Sequence, residues 1–396
     1  MFPTLPISYC TNVHPGTTLA EVVDGLRSYT GPLNATAGPV AAGLWLAESV
    51  MDELRDAGSR AVLAKTLGDL DLVCYTLNAF PQGNFHQKRV KEDVYRPTWA
   101  DAARLEYTSQ CARVLSELLP DGVEGSLSTV PLGHPADAGE GFEAACVANL
   151  LELTRRLDDL HDETGRVVRL AVEPEPCCVL ETVPQTCDFF GRLFEAADAA
   201  GLSEAAARHL GVCYDVCHHA VEFEDAFDCV RRYRDAGVRI NKVHVSCALE
   251  ADPADAAQRS ALAAFAEPRY LHQTFARSRS GEVARVLDLT AEFCDAPPDG
   301  FAEAAVWRTH FHVPVNAESV GGLRTTRPEL GRALRAVHEL PYAPHVEVET
   351  YTWGVLPGEK PDLVAGLSAE VRAAREMVEA ASRPAEKPAG PMVTLG

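Results

Sequence analysis

The chain has 396 residues, 46% of them hydrophobic and 23% charged, enough for a substantial buried core. No apolar run approaches the roughly 20 residues that span a bilayer, and the start, MFPTLPISYC, has neither a basic segment nor a signal-like apolar stretch, so a cytoplasmic protein is expected. With 57 acidic against 36 basic residues the net charge is −21, which repels phosphate backbones and argues against nucleic acid as a partner.

Short apolar runs recur along the chain in this order: PISYCTNV near residue 7, AGLWLA near 43, LVCYTLNAF near 73, EGSLSTVPL near 126, VVRLAVEPEP near 170, LGVCYDVCH near 213, INKVHVS near 243 and HVEVETYTW near 348. Between them the apolar positions take helical spacing over 18–29, 47–70 in two pieces, 99–119, 142–160, 182–200, 225–236 and 327–339, with a last helix over 361–381. Eight strands alternating with helices predict a parallel (β/α)8 barrel. An open doubly wound sheet is the alternative, but the first strand is followed by no GxGxxG turn. The rhythm breaks between the seventh and eighth strands. There RYLHQTFARS, GEVARVLDLTAEF and AVWRTHFHVPVN alternate at period two and predict a small antiparallel insertion over about 250–325. The expected organisation is one barrel domain over 1–381 and a Pro- and Ala-rich disordered tail over 382–396.

In such a barrel the chemistry comes from side chains at the C-terminal strand ends. The fifth strand ends in AVEPEP, with Glu173 and Glu175 on one face and prolines that stop the strand. The sixth ends at Asp215 with His218 one turn later; the seventh presents Lys242, His244 and Ser246 on one face; the eighth presents Glu347 and Glu349. Carboxylates gathered in a barrel mouth repel unless a counter-charge meets them. Three carboxylates and one imidazole suit a divalent ion: Mn²⁺, Mg²⁺, Co²⁺ or Zn²⁺. Glu347 is expected deeper in the barrel, and Glu175 beyond the strand end. Taken singly, each residue is as well explained by an ordinary ion pair or a satisfied core histidine. Their joint occurrence at neighbouring strand ends favours the metal site.

Cys213, Cys217, His218 and His219 offer a competing thiolate zinc site, as does the Cys177–Cys178 pair, but Cys213 lies within an apolar strand and no second close pair follows. The twelve cysteines, scattered through a long chain, read instead as buried thiols. Asn12 and His14 follow the first strand, His86 and Lys88 lie in the polar loop after the third, and the insertion offers His272, His310 and His312. Asn12, His86, His312 and Glu175 are expected to meet substrate, whereas Lys88 and His310 are expected to be solvated.

At these strand ends the sequence resembles the xylose isomerase-like TIM-barrel superfamily of sugar isomerases and epimerases. AVEPEP looks like its glutamate strand, YDVCHHA like its aspartate-x-x-histidine turn, NKVHVS like its imidazole strand and VEVETYTW like its closing glutamate strand. The resemblance implies Glu173, Asp215, His244 and Glu349 as metal ligands, Glu173 and Glu349 as the acid/base pair, and His218 beside the substrate. More narrowly, YCTNVHPG, TLNAFPQGNFHQKRVKEDVYRPTW, LSTVPLG and VEVETYTWGVLP resemble the metabolite traffic family EboE, over nearly the whole chain. The function so implied is metal-dependent isomerisation or epimerisation of a small polyol, keto or sugar-like metabolite, within metabolite modification or trafficking. A non-catalytic metabolite carrier and a metal-dependent hydrolase are the alternatives. A homo-oligomer is left open.

Overall fold

A computed structural model describes residues 2, 4–83, 90–358 and 361–383. Its strands are, in chain order, β1 (Ser8–Cys10), β2 (Ala41–Trp45), β3 (Val73–Asn78), β4 (Gly125–Thr129), β5 (Val168–Val172), β6 (Val212–Asp215) and β7 (Ile240–Val245). There follow β8 (Leu249–Ala251), β9 (Thr274–Arg277), β10 (Val283–Val286), β11 (Val306–Thr309), β12 (Ser319–Val320), β13 (Leu323–Thr325) and finally β14 (His345–Val348). The first seven and β14 pair in parallel and close into a barrel, with β1 bonded to both β2 and β14. Both faces of these strands are covered, so their near-continuous Val, Leu, Ala and Cys content is what a parallel sheet requires. All eight expected strands are present, and the chain is a (β/α)8 barrel.

The remaining six strands form one antiparallel sheet in the order β10-β9-β11-β8-β13-β12, inserted between the seventh and eighth barrel strands as the period-two pattern predicted. GEVARVLDLTAEF is strand only in its first half. Thr290 ends the alternation by accepting a hydrogen bond from the Phe293 amide, and this caps a short helix over Ala291–Asp295.

Two expectations need adjustment. The first helix does not stop at Tyr29: Leu19–Gly25 continues through Leu26–Thr30 into Gly31–Ala37, and the turn before Pro32 widens, with the Gly31 N–H bonded to Leu26 O five residues back, which accommodates the proline. The sixth strand ends at Asp215, as expected. The Asp215 side chain accepts the His218 amide and starts a helix over Val216–Val221. A helix over Ser203–His209, too short to show a period, was not anticipated. Among the described residues no helix is long and apolar enough to cross a membrane. Residues 384–396, most of the expected tail, lie outside the described residues.

Candidate metal centre and active site

The site stands on a charged pair inside the barrel. Lys242 on β7 and Glu347 on β14 are both fully buried and lie 3.0 Å apart (Nζ to Oε1). Ser8 Oγ and Asn78 Nδ2 donate to the same carboxylate at 2.8 and 2.7 Å, and Lys242 also donates to Asn78 Oδ1 and Ser128 Oγ. The hydrogen bonds satisfy most of what burial would otherwise leave unpaired. Burial alone would raise the Glu347 carboxyl, but Lys242 and the donors around it bring it down to about 2. Gly43 on β2 makes room: a Cβ there would lie 1.7 Å from Glu347 Oε2.

Above this floor, register does the assembling. Asp215 and Glu347 are the strand neighbours of His244 on either side. Glu173 and Glu349 follow the last residues of β5 and β14, their amides bonded to Thr129 O and Val245 O. Four neighbouring strands thus deliver Glu173, Asp215, His244 and Glu349 to one point. His244 Nδ1 lies 2.8 Å from Glu173 Oε1, 3.3 Å from Asp215 Oδ2 and 3.3 Å from Glu349 Oε2. Ligands about 2.1 Å from one ion at tetrahedral or octahedral angles are themselves about 3.0–3.4 Å apart; the two 3.3 Å separations match that spacing, while Glu173 sits closer, in a hydrogen bond with His244 Nδ1. Buried Asp215 Oδ2 has no hydrogen-bond partner, as a ligand atom would in the absence of its ion.

Electrostatics point the same way. Burial opposes a charge on His244, yet Cys213, Glu173 and Glu349 around it hold the imidazole well above its ordinary value, so this point of the cluster favours positive charge. Burial works against the Asp215 charge too, but His218, His312 and His244 together keep it well below the usual carboxylate range. Glu349 is raised by burial to about 7, with its acidic neighbours adding and His244 and His312 opposing.

A cleft of about 590 Å³, part of it open to solvent, lies over the cluster. Glu173, Glu175, His218, Glu349 and Asn12 line its barrel side; Gln273, His310, His312 and Tyr270 come from the insertion; Phe80, Pro81, Val90, Val94, Tyr95 and Leu271 make an apolar wall. Asn12 Nδ2 donates to Glu349 Oε1 at 3.1 Å. Glu175 accepts from Tyr95 OH at 2.6 Å, and burial raises its carboxyl to about 8. The carboxyl is therefore largely protonated near neutrality and can donate to a ligand oxygen. His218 donates from Nδ1 to Pro174 O (2.9 Å), which turns Nε2 into the cleft.

Of the sequence-predicted residues, Glu173, Asp215, His244, Glu349, His218, Glu175, Asn12 and His312 all meet at this mouth, and Glu347 lies beneath it as expected. His86 and Lys88 fall outside the described residues. His310 is not solvated: it is 5% exposed and faces His218, because β11 ends at Thr309 and the chain then dips into the barrel mouth. His14 turns away, its ring against Tyr9 and Tyr29. The cysteines of the competing thiolate reading fall in different clusters, Cys213 with Glu173 and His244 and Cys217 with His310 and His312. Cys213 is packed within β6, and burial raises the thiols of Cys213 and Cys177 to about 12. Tyr95 and Gln273 escaped the sequence reading. Tyr95 lies in a long connection whose path no periodicity reports, and Gln273 in a period-two stretch that does not say which face meets the barrel, although each stands in a polar-aromatic stretch that could have drawn attention.

Among solved structures the chain is similar to a xylose isomerase-like TIM-barrel protein from Mycobacterium smegmatis in complex with magnesium, at 10% identity, 96% of this chain against 97% of that one and a TM-score of 0.52. It is also similar to a xylose isomerase domain protein from Alicyclobacillus acidocaldarius subsp. acidocaldarius (12% identity, 96% and 100% covered, TM-score 0.48) and to the IOLI protein with a bound zinc atom (12%, 95% and 99%, 0.46). At 10% identity the first likeness shows the fold alone, a (β/α)8 barrel. No family model and no curated protein matches the chain, and the narrower EboE resemblance gains nothing from these likenesses.

Proposed function

We propose that the chain is a divalent-metal-dependent isomerase or epimerase acting on a small polyol, keto or sugar-like metabolite. The observation that carries this is the convergence of Glu173, Asp215, His244 and Glu349 from four neighbouring strands on one buried point at the floor of a cleft. These four would hold the ion. Bound there, it would polarise a carbonyl or hydroxyl oxygen of the ligand and so acidify the adjacent C–H. Glu173 or Glu349 takes that proton, and the other carboxyl returns it to the same or the neighbouring carbon. Asn12 fixes the Glu349 carboxylate by donating to it. His218, held by Pro174, presents Nε2 to a ligand oxygen, and Glu175 donates from the far wall. The aromatic and aliphatic wall excludes water from the reacting carbon and favours a ligand with an apolar portion. The narrower reading, a part in metabolite modification or trafficking, rests on the EboE-like stretches of sequence.

The test is exchange from solvent. Mn²⁺-loaded protein is incubated in D₂O with a panel of ketoses and polyol ketones. The expected result is deuterium at the carbon beside the carbonyl, absent with chelator-treated protein. If compounds that raise the melting temperature acquire no deuterium, the protein is a carrier and the proposal fails.

A further inference from the structure

A second cavity, of about 580 Å³ and partly open to solvent, lies on the flank of the barrel between the helix over Val216–Val221, the turn after it and the insertion, and it shares no residue with the cleft. Phe223 in its wall is held at φ 58°, a left-handed conformation that a bulky side chain adopts only under constraint. The ring so placed carries two guanidinium groups, Arg277 Cζ 4.4 Å and Arg308 Cζ 4.7 Å from its centre. Arg308 is committed, donating to Glu250, Glu329 and Ala220 O, and Arg332 on the same wall is paired with Asp225. Arg277 has no ion-pair partner among the described residues. His219 lines the cavity as well. Its Nδ1 lies 2.6 Å from Glu224 Oε2 and so carries a hydrogen, which makes Nε2 of the neutral ring an acceptor, and that buried atom has no partner.

In a protein of net charge −21 an anion settles only where a cation is left over. The three carboxylates of this cavity are already engaged, Glu224 by His219 and the Val183 amide, Asp225 by Arg332 and Glu329 by Arg308, so Arg277 is the charge left over. A guanidinium preset by stacking on a ring presents the planar fork that a carboxylate fits. We propose that the cavity binds a small hydroxycarboxylate, its carboxylate on Arg277 and its hydroxyl donating to His219 Nε2. Ala220, Ala226 and Ala333 leave room for a short carbon skeleton. Three segments join this site to the cleft, each presenting one residue to either cavity. His219 and His218 are consecutive on one helix, Arg277 ends the strand β9 that Gln273 precedes, and Arg308 lies in β11, which runs on into His310. A ligand held here therefore acts as an effector of the cleft. This goes beyond the proposed function and needs neither its ion nor its chemistry.

Lactate is the probe, titrated into the full chain by isothermal calorimetry beside propionate, which lacks the hydroxyl, and 1,2-propanediol, which lacks the carboxylate. Lactate should bind at a single site, about tenfold more tightly than propionate, and the diol should not bind. Arg277→Gln should abolish binding. Arg277 is partly exposed and forms no ion pair, so this variant should fold, which circular dichroism checks. Phe223→Gly relieves the strained backbone while removing the ring under Arg277, and it too should weaken lactate binding. Hydrogen exchange in the helix over Val216–Val221 and in β11 should slow when lactate binds the wild type. The proposal is overturned if lactate does not bind, if it binds Arg277→Gln unchanged, which would place it in the cleft, or if propionate or the diol matches it. Bound lactate that leaves hydrogen exchange in both segments unaltered overturns the effector role.

Discussion

Gly43 and Lys242 show how single residues protect the floor of the site. Any side chain at position 43 would meet Glu347 Oε2 and Ser8 Oγ at 1.7 and 2.6 Å, and neither can move without abandoning its partners. Gly43→Ala should therefore cost on the order of 2–3 kcal/mol, measured by urea unfolding. Lys242→Met leaves Glu347 buried without its cation and should cost about 3–5 kcal/mol, much of it recovered when Glu347→Gln is added. A double variant no better than Lys242→Met alone would show that the pair does not act as a unit. At this scale the sequence was legible where side-chain type and strand position coincide, as at Asp215 and His244. It was not legible at His310, whose burial depends on where the chain turns after β11, and no local pattern reports that.

At the scale of elements, the antiparallel insertion is what turns a barrel mouth into an enclosed cleft. Trp307 on β11 is fully buried against Phe293 and Phe301, and Arg308 ties the same strand to Glu250, Glu329 and the Ala220 carbonyl. Trp307→Ala should cost about 3–5 kcal/mol, measured by urea unfolding. A further tie joins Lys91 to Asp288 at 2.7 Å. Burial opposes the Asp288 charge, but hydrogen bonds from His272 and Lys91 outweigh it and hold the carboxyl below its ordinary value. A depressed carboxyl stabilises the fold above its unfolded value near about 4, and that contribution is lost as pH falls through the folded value. Asp288→Asn should therefore destabilise at pH 7, by no more than about 1 kcal/mol for a half-exposed pair, and the two proteins should converge as pH falls below about 4. A gap that widens in acid would reverse the assigned sign. The insertion's existence was legible from its period-two stretches. Its last two strands, β12 and β13, of two and three residues, are too short to carry a period.

For the whole molecule, a closed parallel barrel fixes which strand ends are neighbours, and so explains why residues between positions 173 and 349 form one site. Alternation of strand and helix made that fold readable, since eight buried runs separated by amphipathic segments have few other solutions. The substrate was less readable, because the cleft wall is built by loops and by the insertion, whose sequences constrain shape weakly. If the carboxylate centre binds an ion that the unfolded chain does not, added Mn²⁺ should raise the melting temperature, by the equivalent of about 2.7 kcal/mol at a hundredfold excess over its dissociation constant. Metal content tests this centre most directly, by elemental analysis of the purified wild type beside Glu173→Gln and Asp215→Asn. The arrangement at His244 predicts that each variant holds one fewer ion per chain than the wild type. Unchanged metal in both variants, with their folding intact by circular dichroism, would contradict it.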